Sequence, residues 1–474
     1  MKKLLLLAAV VLAQGGATLL RAQDELPSIE LAQKILPTNF ETNYFGWSSA
    51  MSDDNLFIGQ YQAAGTSGAA KVGRVLVYNK TADGWAIADT IVSPIQVEGA
   101  SFGYSVATDG KRLAVGATEM FSTNSYLKSF GFVSIYVKGD DGKWSCETSS
   151  PLRQSSNTSG YFGYCVAIDG DVAVAGAPFA KVSSKSGVGS AAILVRGESG
   201  WTVVEQASPV SGSANYFGRA VAVSDGTVVI GAAKGAPWRY TLTDGTWSKS
   251  IVLPVVYNES SNAASIALDG STMMIANVDN GLVQVYNRAA DGSWSGGQAI
   301  QPGISKFGYI VVMKGDNAVI TINNGNAYLY KNVDGTWMAK GVMDYIGSGA
   351  NGTTGQMGYA ASINSTQVAI DAPQYPLQNS EGAWTSGVGA VFVYNLGGTE
   401  TAITPITTVG EAEVYATTGG IVVSAPQPTQ VAVYGIDGRI AATLTTGTDR
   451  TKVSLPTGVY VVRAAGKCCK VVVR

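Results

Sequence analysis

Any chemistry in this 474-residue chain is done without histidine, which the sequence lacks altogether. That removes Ser-His-Asp and Cys-His nucleophile pairs, His-ligated zinc and haem, and the usual proton shuttle near neutral pH. Carboxylates remain. Glu119, Asp371 and Glu381 fall where apolar runs meet long loops, and two acids set apart across a cleft can hydrolyse or eliminate at a polysaccharide without histidine. Asp109-Gly110, Asp169-Gly170, Asp225-Gly226 and Asp269-Gly270 each offer one carboxylate on a tight turn. Calcium takes roughly six to eight oxygens, so these aspartates read as turn formers and imply neither a metal site nor a cofactor. Sialidase-type Asp boxes separate Asp from Gly by one residue, whereas here the two are adjacent. The third group is aromatic: Tyr61, Phe121, Tyr126, Phe130, Phe179, Tyr375 and Trp384, with Lys128, Lys181, Lys185 and Glu381 nearby. Rings on loops that have no need of them suit a contact surface.

The elements that carry these residues are clearest at 161–201. Alternation predicts strands Tyr164–Ile168, Val172–Gly176 and Ala191–Val195, with Asp169-Gly170 as a type I′ hairpin turn and Trp201 opening a fourth strand. This four-stranded antiparallel unit recurs. Its aromatic-Gly anchor appears at Phe45, Phe102, Phe162 and Phe217, in a degenerate copy at Ala263-Ala264-Ser265, and again at Phe307 and Met357. A spacing of roughly 40–60 residues and seven copies predict an all-β, seven-bladed β-propeller. Trp85, Trp144, Trp201, Trp247, Trp294 and Trp337 follow the third strands and read as packing between blades. The seventh copy lacks a fourth strand, and residues 28–36 resemble Trp85–Pro94 and Trp201–Pro209. The N-terminal segment is therefore expected to close the ring beside 357–396, sparing the sheet an open edge.

Phe-Gly, Asp-Gly, Ala-Val-Gly-Ala-Pro and Val-Tyr-Val-Tyr together resemble the FG-GAP repeats of integrin α-subunit propellers over about residues 28–396. The resemblance implies a recognition module whose partner contacts lie on the face of the 2–3 and 4–1 loops. It departs from the calcium-binding members, whose Asp-x-Asp-x-Asp-Gly loop is here reduced to Asp-Gly. Loop lengths point to the same face. The 2–3 loops are long in units 1 (Gln60–Gly73), 2 (Thr118–Gly131), 3 (Pro178–Ser190) and 7 (Pro373–Gly389), and short in units 5 (Asn277–Gly281) and 6 (Asn323–Asn326). In a closed ring the long ones form one sector, the expected site for an extracellular protein or glycan.

The ends of the chain predict export. Met1-Lys2-Lys3 and the apolar run after it read as a signal peptide over 1–22, with no later stretch suited to span a bilayer. A net charge of −2 and 14% charged residues do not suit a nucleic-acid reader. Cys146, Cys165, Cys468 and Cys469 form no disulfide framework, and Cys165 reads as a small packed side chain. After a linker at 398–410, seven short alternating strands over 411–474 predict an immunoglobulin-like β-sandwich. Gly438-Arg439, then Leu455-Pro456-Thr457-Gly458-Val459-Tyr460, then Lys467 and Lys470 resemble the C-terminal sorting domain of the type IX secretion system of Bacteroidetes. That resemblance implies the secretion machinery as a partner and passage to the outer cell surface or the medium.

Overall fold

The computed structural model describes residues 26–38, 41–119, 121–122, 130–148, 150–154, 160–182, 185–208, 214–243, 246–251, 263–347, 355–378, 382–396, 407–409, 412–417, 420–425, 427–435, 438–446, 451–456, 458–464 and 467–473. Every regular element among them is a β-strand. They divide into two compact units, one ending at Leu396 and one beginning at Gly397.

The first unit is a seven-bladed β-propeller of four-stranded antiparallel sheets. Ser49–Met51, Phe102–Thr108, Val166–Asp169, Ala220–Ser224, Ala263–Asp269, Val311–Lys314 and Ala360–Ile363 are the innermost strands of blades 1 to 7. Each lies against the next, and the strand of blade 7 lies against that of blade 1. Blade 7 takes its outer strand from the start of the chain: Leu31–Ile35 runs antiparallel to Ala390–Asn395, with Leu31 opposite Tyr394 and Ile35 opposite Val391. Just before it, Ser28 bridges to Val342 of blade 6. Gln33 holds this strand to blade 1, its Nε2 donating to the Trp85 carbonyl (2.9 Å) and its Oε1 accepting from the Trp85 N–H (2.8 Å). Gln298, in the outer strand of blade 5, grips Trp337 of blade 6 in the same way at 2.8 and 2.7 Å.

The Phe-Gly anchor is where one blade locks onto the one before it. Phe45, Phe102, Phe162 and Phe217 form parallel bridges to Gly389, Gly73, Gly131 and Gly189, which precede the third strand of the previous blade. The residue ahead of each anchor has a left-handed backbone: Tyr44 (φ +53°), Ser101 (+60°), Tyr161 (+57°), Tyr216 (+53°), Lys306 (+61°) and Gln356 (+56°). That conformation is costly outside glycine, on the order of 1–3 kcal/mol. It turns the chain so that the following ring is fully buried, a gain of roughly 1.5–3 kcal/mol for each Phe. At the fifth residue of the second strand the blades approach so closely that a side chain barely fits. A Cβ on Gly116 would stand 2.2 Å from the Gly163 carbonyl oxygen of the next blade. That carbonyl accepts a hydrogen bond from Ser105 (2.8 Å), as Gly103 does from Ser48 (2.9 Å), Gly218 from the Cys165 thiol (3.2 Å) and Gly358 from Thr321 (2.8 Å). Cys165 thus sits packed in the seam, and burial pushes its thiol up to about 12.

The inner turns differ from the expectation. Asp225 and Gly226 both have positive φ, as a type I′ turn requires, but at Asp169-Gly170 and Asp269-Gly270 only the glycine does. There the aspartate is the last residue of its strand, opposite Val172 or Thr272, and the glycine leads a two-residue turn, the pattern of type II′. The shift has a physical cause, because these carboxylates reach across to the next blade. Asp109 Oδ2 accepts from Gly170 N–H (3.0 Å), Asp169 Oδ2 from Asp225 N–H (2.7 Å) and Asp269 Oδ2 from Gly315 N–H (2.6 Å). The aspartates are latches between blades as well as turn residues.

The second unit is a sandwich of two four-stranded sheets. One contains Thr407–Val409, Ala412–Thr417, Gly420–Ser424 and Thr451–Ser454, and the other Ile440–Thr446, Thr429–Gly435, Gly458–Ala464 and Lys467–Val473. Val414, Ile421, Val423, Val433, Val462 and Val471 meet in its core. It has eight strands rather than seven, because Thr407–Val409, inside the stretch read as linker, pairs with Ala412–Val414. Gly438 (φ +77°) turns one hairpin just before Arg439. Leu455 and Tyr460 are buried, and the Tyr460 hydroxyl donates to the Pro456 carbonyl four residues upstream (2.9 Å), an arrangement like the tyrosine corner of immunoglobulin sandwiches. Gly458 begins the following strand, while Lys467 and Lys470 lie on the last one.

Candidate functional site

The residue immediately after each Phe-Gly anchor lies at or within two residues of the start of the innermost strand, at the mouth of the ring where the long loops open. In five blades that residue is aromatic: Trp47, Tyr104, Tyr164, Tyr309 and Tyr359. Their rings touch in series around the mouth. Centroids are 6.1 Å apart for Tyr309–Tyr359, 4.6 Å for Tyr359–Trp47, 5.4 Å for Trp47–Tyr104 and 5.4 Å for Tyr104–Tyr164. Blade 4 contributes Arg219 at the same register. Edge-to-face and tilted pairs at such distances each add about 0.5–1.5 kcal/mol beyond the area they bury, so the arc is stiff.

Loop residues extend the arc outward. Tyr61 lies 4.5 Å from Trp47 and 5.4 Å from Tyr104, and Phe121 stacks on it at 6.1 Å with the Lys71 ammonium 4.7 Å from the Phe121 ring. On the other flank Phe179 stands between Tyr164 (5.8 Å), Tyr161 (5.2 Å) and Tyr216 (5.6 Å). Tyr161, Phe179 and Tyr216 line a cavity of about 290 Å³ with Lys181 and Gly187. The left-handed backbone at Tyr161 and Tyr216 is what turns these two rings toward the face.

Burial keeps the phenols of Tyr61, Tyr104, Tyr309 and Tyr359 protonated. It pushes Tyr61 up to about 12, against the hydrogen bond that Gln62 donates to its oxygen. It raises Tyr104 well above 10, with Tyr164, Tyr359 and Tyr61 adding to the effect. Tyr309 and Tyr359 are also raised by burial; Tyr164 adds to it for both, and Arg219 opposes it. The phenols of Tyr61, Tyr104, Tyr164, Tyr309 and Tyr359, from five blades, therefore share one electrostatic environment.

The residues expected from sequence divide three ways. Phe121, Phe179 and Tyr61 join the aromatic face, although Tyr61 is buried at its base and Phe121 is exposed at its rim. Tyr375 is buried, packs edge-on against Phe392 at 5.5 Å and accepts a hydrogen bond from Lys34 (2.9 Å). It pins its own loop to the closing blade instead of lining the face. Trp384 is exposed on a separate short hairpin, Leu377–Gln378 with Trp384–Thr385, and Phe130 is half-buried next to Gly131. Tyr126, Lys128 and Glu381 lie outside the described residues, as do residues 1–22. What the loop argument missed are Trp47, Tyr104, Tyr164, Tyr309 and Tyr359, and their signal was in plain view, one residue beyond the anchor used to align the repeats.

Neither described acid proposed for hydrolysis faces solvent. Glu119 is 1% exposed and held two-pronged by Arg153 (2.8 Å to each oxygen), and it accepts from the Gly131 N–H at 3.0 Å. It ties down the base of its loop. Asp371 is fully buried between blades 7 and 1, where its Oδ2 accepts from Ser49 (2.6 Å). At the opposite mouth, where the inner turns lie, a cavity of about 430 Å³ is lined by Asp53, Asp109, Asp169, Asp269 and Lys314. Four of its carboxylates are engaged as latches, Asp53 accepting from Ser365 N–H (3.1 Å) and hydroxyl (2.7 Å) and Asp109, Asp169 and Asp269 from the next blade, while Asp54 also lines the cavity. Among the described residues no group of three or more Cys, Asp or Glu is arranged to hold a metal ion, and no helix is long and apolar enough to cross a membrane.

No family model matches the chain, and no curated protein does. Among solved structures it is similar to the crystal structure of the Saccharomyces cerevisiae Sqt1, at 11% sequence identity and a TM-score of 0.42, with 78% of this chain and 99% of that chain covered.

Proposed function

We propose that this protein is a secreted or cell-surface binding protein, an adhesion or recognition module that engages a protein or glycan through the loop-rich face of its propeller. The observation that carries this reading is the unbroken series of rings from Tyr309 through Trp47 to Phe179, drawn from blades 6, 7, 1, 2 and 3 and continued by Tyr216 of blade 4. Tyr and Trp held rigid by their neighbours give large contact area with little ordering entropy left to lose. The alternative, a propeller hydrolase or lyase, draws no support from Glu119 or Asp371, both buried and engaged.

The finer readings belong to the same proposal. The Phe-Gly repeats, FG-GAP-like and integrin-like in pattern, make the face that meets the partner. The C-terminal sandwich, with Gly438, Arg439, Leu455, Pro456, Gly458, Tyr460, Lys467 and Lys470, is a type IX sorting domain that follows a signal peptide. A glycan-array and extracellular-protein screen with the full chain tests the first reading, repeated on Trp47→Ala and on loops 61–72 and 179–188 cut back. Binding unchanged by all three would refute it. Mass spectrometry of the protein from culture medium tests the second, since an intact Arg474 terminus on the mature form would count against removal of the sandwich.

A further inference from the structure

At the register just after the anchor the aromatic mouth carries one charge. Arg219 occupies in blade 4 the register that Trp47, Tyr104, Tyr164, Tyr309 and Tyr359 occupy elsewhere, immediately after the Phe217-Gly218 anchor. Among the described residues no carboxylate pairs with its guanidinium, whereas Arg112, Arg153 and Arg196 each have an acidic partner within 3.0 Å. The groups that sense Arg219 are Tyr309, Tyr359 and the Cys165 thiol, and no carboxylate perturbs the phenols of Tyr61, Tyr104, Tyr309 or Tyr359. Among the described residues the mouth therefore presents a guanidinium and phenolic O–H groups with no anion beside them.

We infer that the centre of the mouth binds a carboxylate carried on a protein partner, an Asp or Glu side chain projecting from a loop, with the Arg219 guanidinium as its counter-charge and the neighbouring phenols of Tyr104, Tyr164, Tyr309 and Tyr359 as hydrogen-bond donors. The inference rests on the proposal that this face is the binding face, and it names the chemistry recognised there. Charge complementarity selects an anion, since a cation would meet Arg219 in a site where burial weakens screening. Shape selects a side chain over a sugar ring. The central rings touch one another at 4.6–6.1 Å, leaving no slot between them for a pyranose to stack edge-in. A surface of Tyr, Trp and Arg, with Arg219 half-buried among the rings, is the composition of protein–protein hot spots.

The test uses the full chain and immobilised polymers as probes: poly-L-glutamate, poly-L-lysine and hyaluronate. The wild type should bind polyglutamate in a salt-sensitive manner and leave polylysine unbound; its net charge of −2 gives no general affinity for polyanions. Arg219→Gln should weaken polyglutamate binding at least tenfold, with Arg219→Lys within about threefold of wild type and the thermal midpoints of both variants unchanged. Binding undiminished in Arg219→Gln, capture of polylysine, no capture of polyglutamate, or capture of hyaluronate in preference to polyglutamate each overturns the inference. A partner found in the screen that is lost with Trp47→Ala but kept with Arg219→Gln overturns it while leaving the binding face intact; one kept by both removes the face as well.

Discussion

Asp371 gives the sharpest test of how the ring is sealed. It occupies the tight second-strand position held by Gly59, Gly116, Gly176 and Gly231 in blades 1 to 4 and by Thr321 in blade 6. At four other junctions a hydroxyl or thiol donates to the carbonyl of the next anchor glycine. Where Ser48, Ser105 and Cys165 stand in blades 1 to 3, blade 7 has Ala360, which has no donor. A protonated Asp371, beside Gly46, has the missing one; its Oδ1 is buried with no other partner. Burial pushes Asp371 up to about 8, against the hydrogen bond from Ser49, whereas an aspartate in an unfolded chain titrates near ~3.9. Between these values the folded chain keeps a proton that the unfolded chain has released, so stability falls as pH rises. The slope is about 1.4 kcal/mol per pH unit over roughly four units, or about 5 kcal/mol in all. Asp371→Asn keeps the shape, an acceptor for Ser49 and a donor for Gly46 at every pH. It should match wild type near pH 4 and exceed it by about 5 kcal/mol at pH 8.5. At about 2.1 cal/mol/K per residue over roughly 370 residues, that is about 6 °C in melting midpoint. Calorimetric scans of both proteins at half-unit steps from pH 4 to 9 measure the difference directly. Parallel pH profiles, or a wild type more stable than the variant at pH 8.5, would refute the reasoning.

Three further outcomes follow from contacts in the propeller. Gly116→Ala places a Cβ 2.2 Å from the Gly163 carbonyl oxygen and displaces Ser105, so chemical denaturation should show a loss of about 2–4 kcal/mol; a loss below about 1 kcal/mol would mean the seam yields. Arg153→Met strands the buried Glu119 carboxylate and should cost about 3–5 kcal/mol; adding Glu119→Gln should restore part of it, which a double-mutant cycle measures. Burial works to raise Glu147, but hydrogen bonds from Trp201, Arg112 and Arg196 outweigh it and hold the group below its usual range. The stability it contributes is present above the ordinary glutamate value and is lost as pH falls through the lower folded value. Glu147→Gln should therefore flatten the acid limb of the stability profile and leave the alkaline limb unchanged.

The blades are legible in the sequence because each is built from local signals, a period of two broken by Asp-Gly, with an anchor that admits only a large ring followed by glycine. The propeller's apparent missing strand is legible for the same reason, since residues 28–36 carry a fourth-strand pattern and precede the first Phe-Gly anchor. What is not legible depends on neighbours far away in the chain. Asp169 and Asp269 end their strands one residue later than a type I′ turn allows because their carboxylates answer to backbone donors some 50 residues on, which no local rule contains. Tyr375 looks like a contact residue until Lys34 and Phe392 are brought beside it. Trp47 and Tyr164 stand in the short bends between the anchor and the innermost strand, and Tyr104 inside that strand, so a search for function among the long loops passes over them. Thr407–Val409 hides in a stretch rich in threonine, where only pairing with Ala412–Val414 reveals a strand.

The pairing of Leu31 with Tyr394 joins the first described strand of the ring to the last. Entropy sets little against so distant a meeting, since the penalty for closing a loop grows only as the logarithm of its length. Until it happens, however, Ala390–Asn395 lies as a bare template beside six finished sheets, and it does not distinguish the chain's own arm from that of another molecule. Two molecules that exchange arms keep every native contact and become an interlocked pair. The concentration of unfinished chains during folding thus decides whether the product is single or linked.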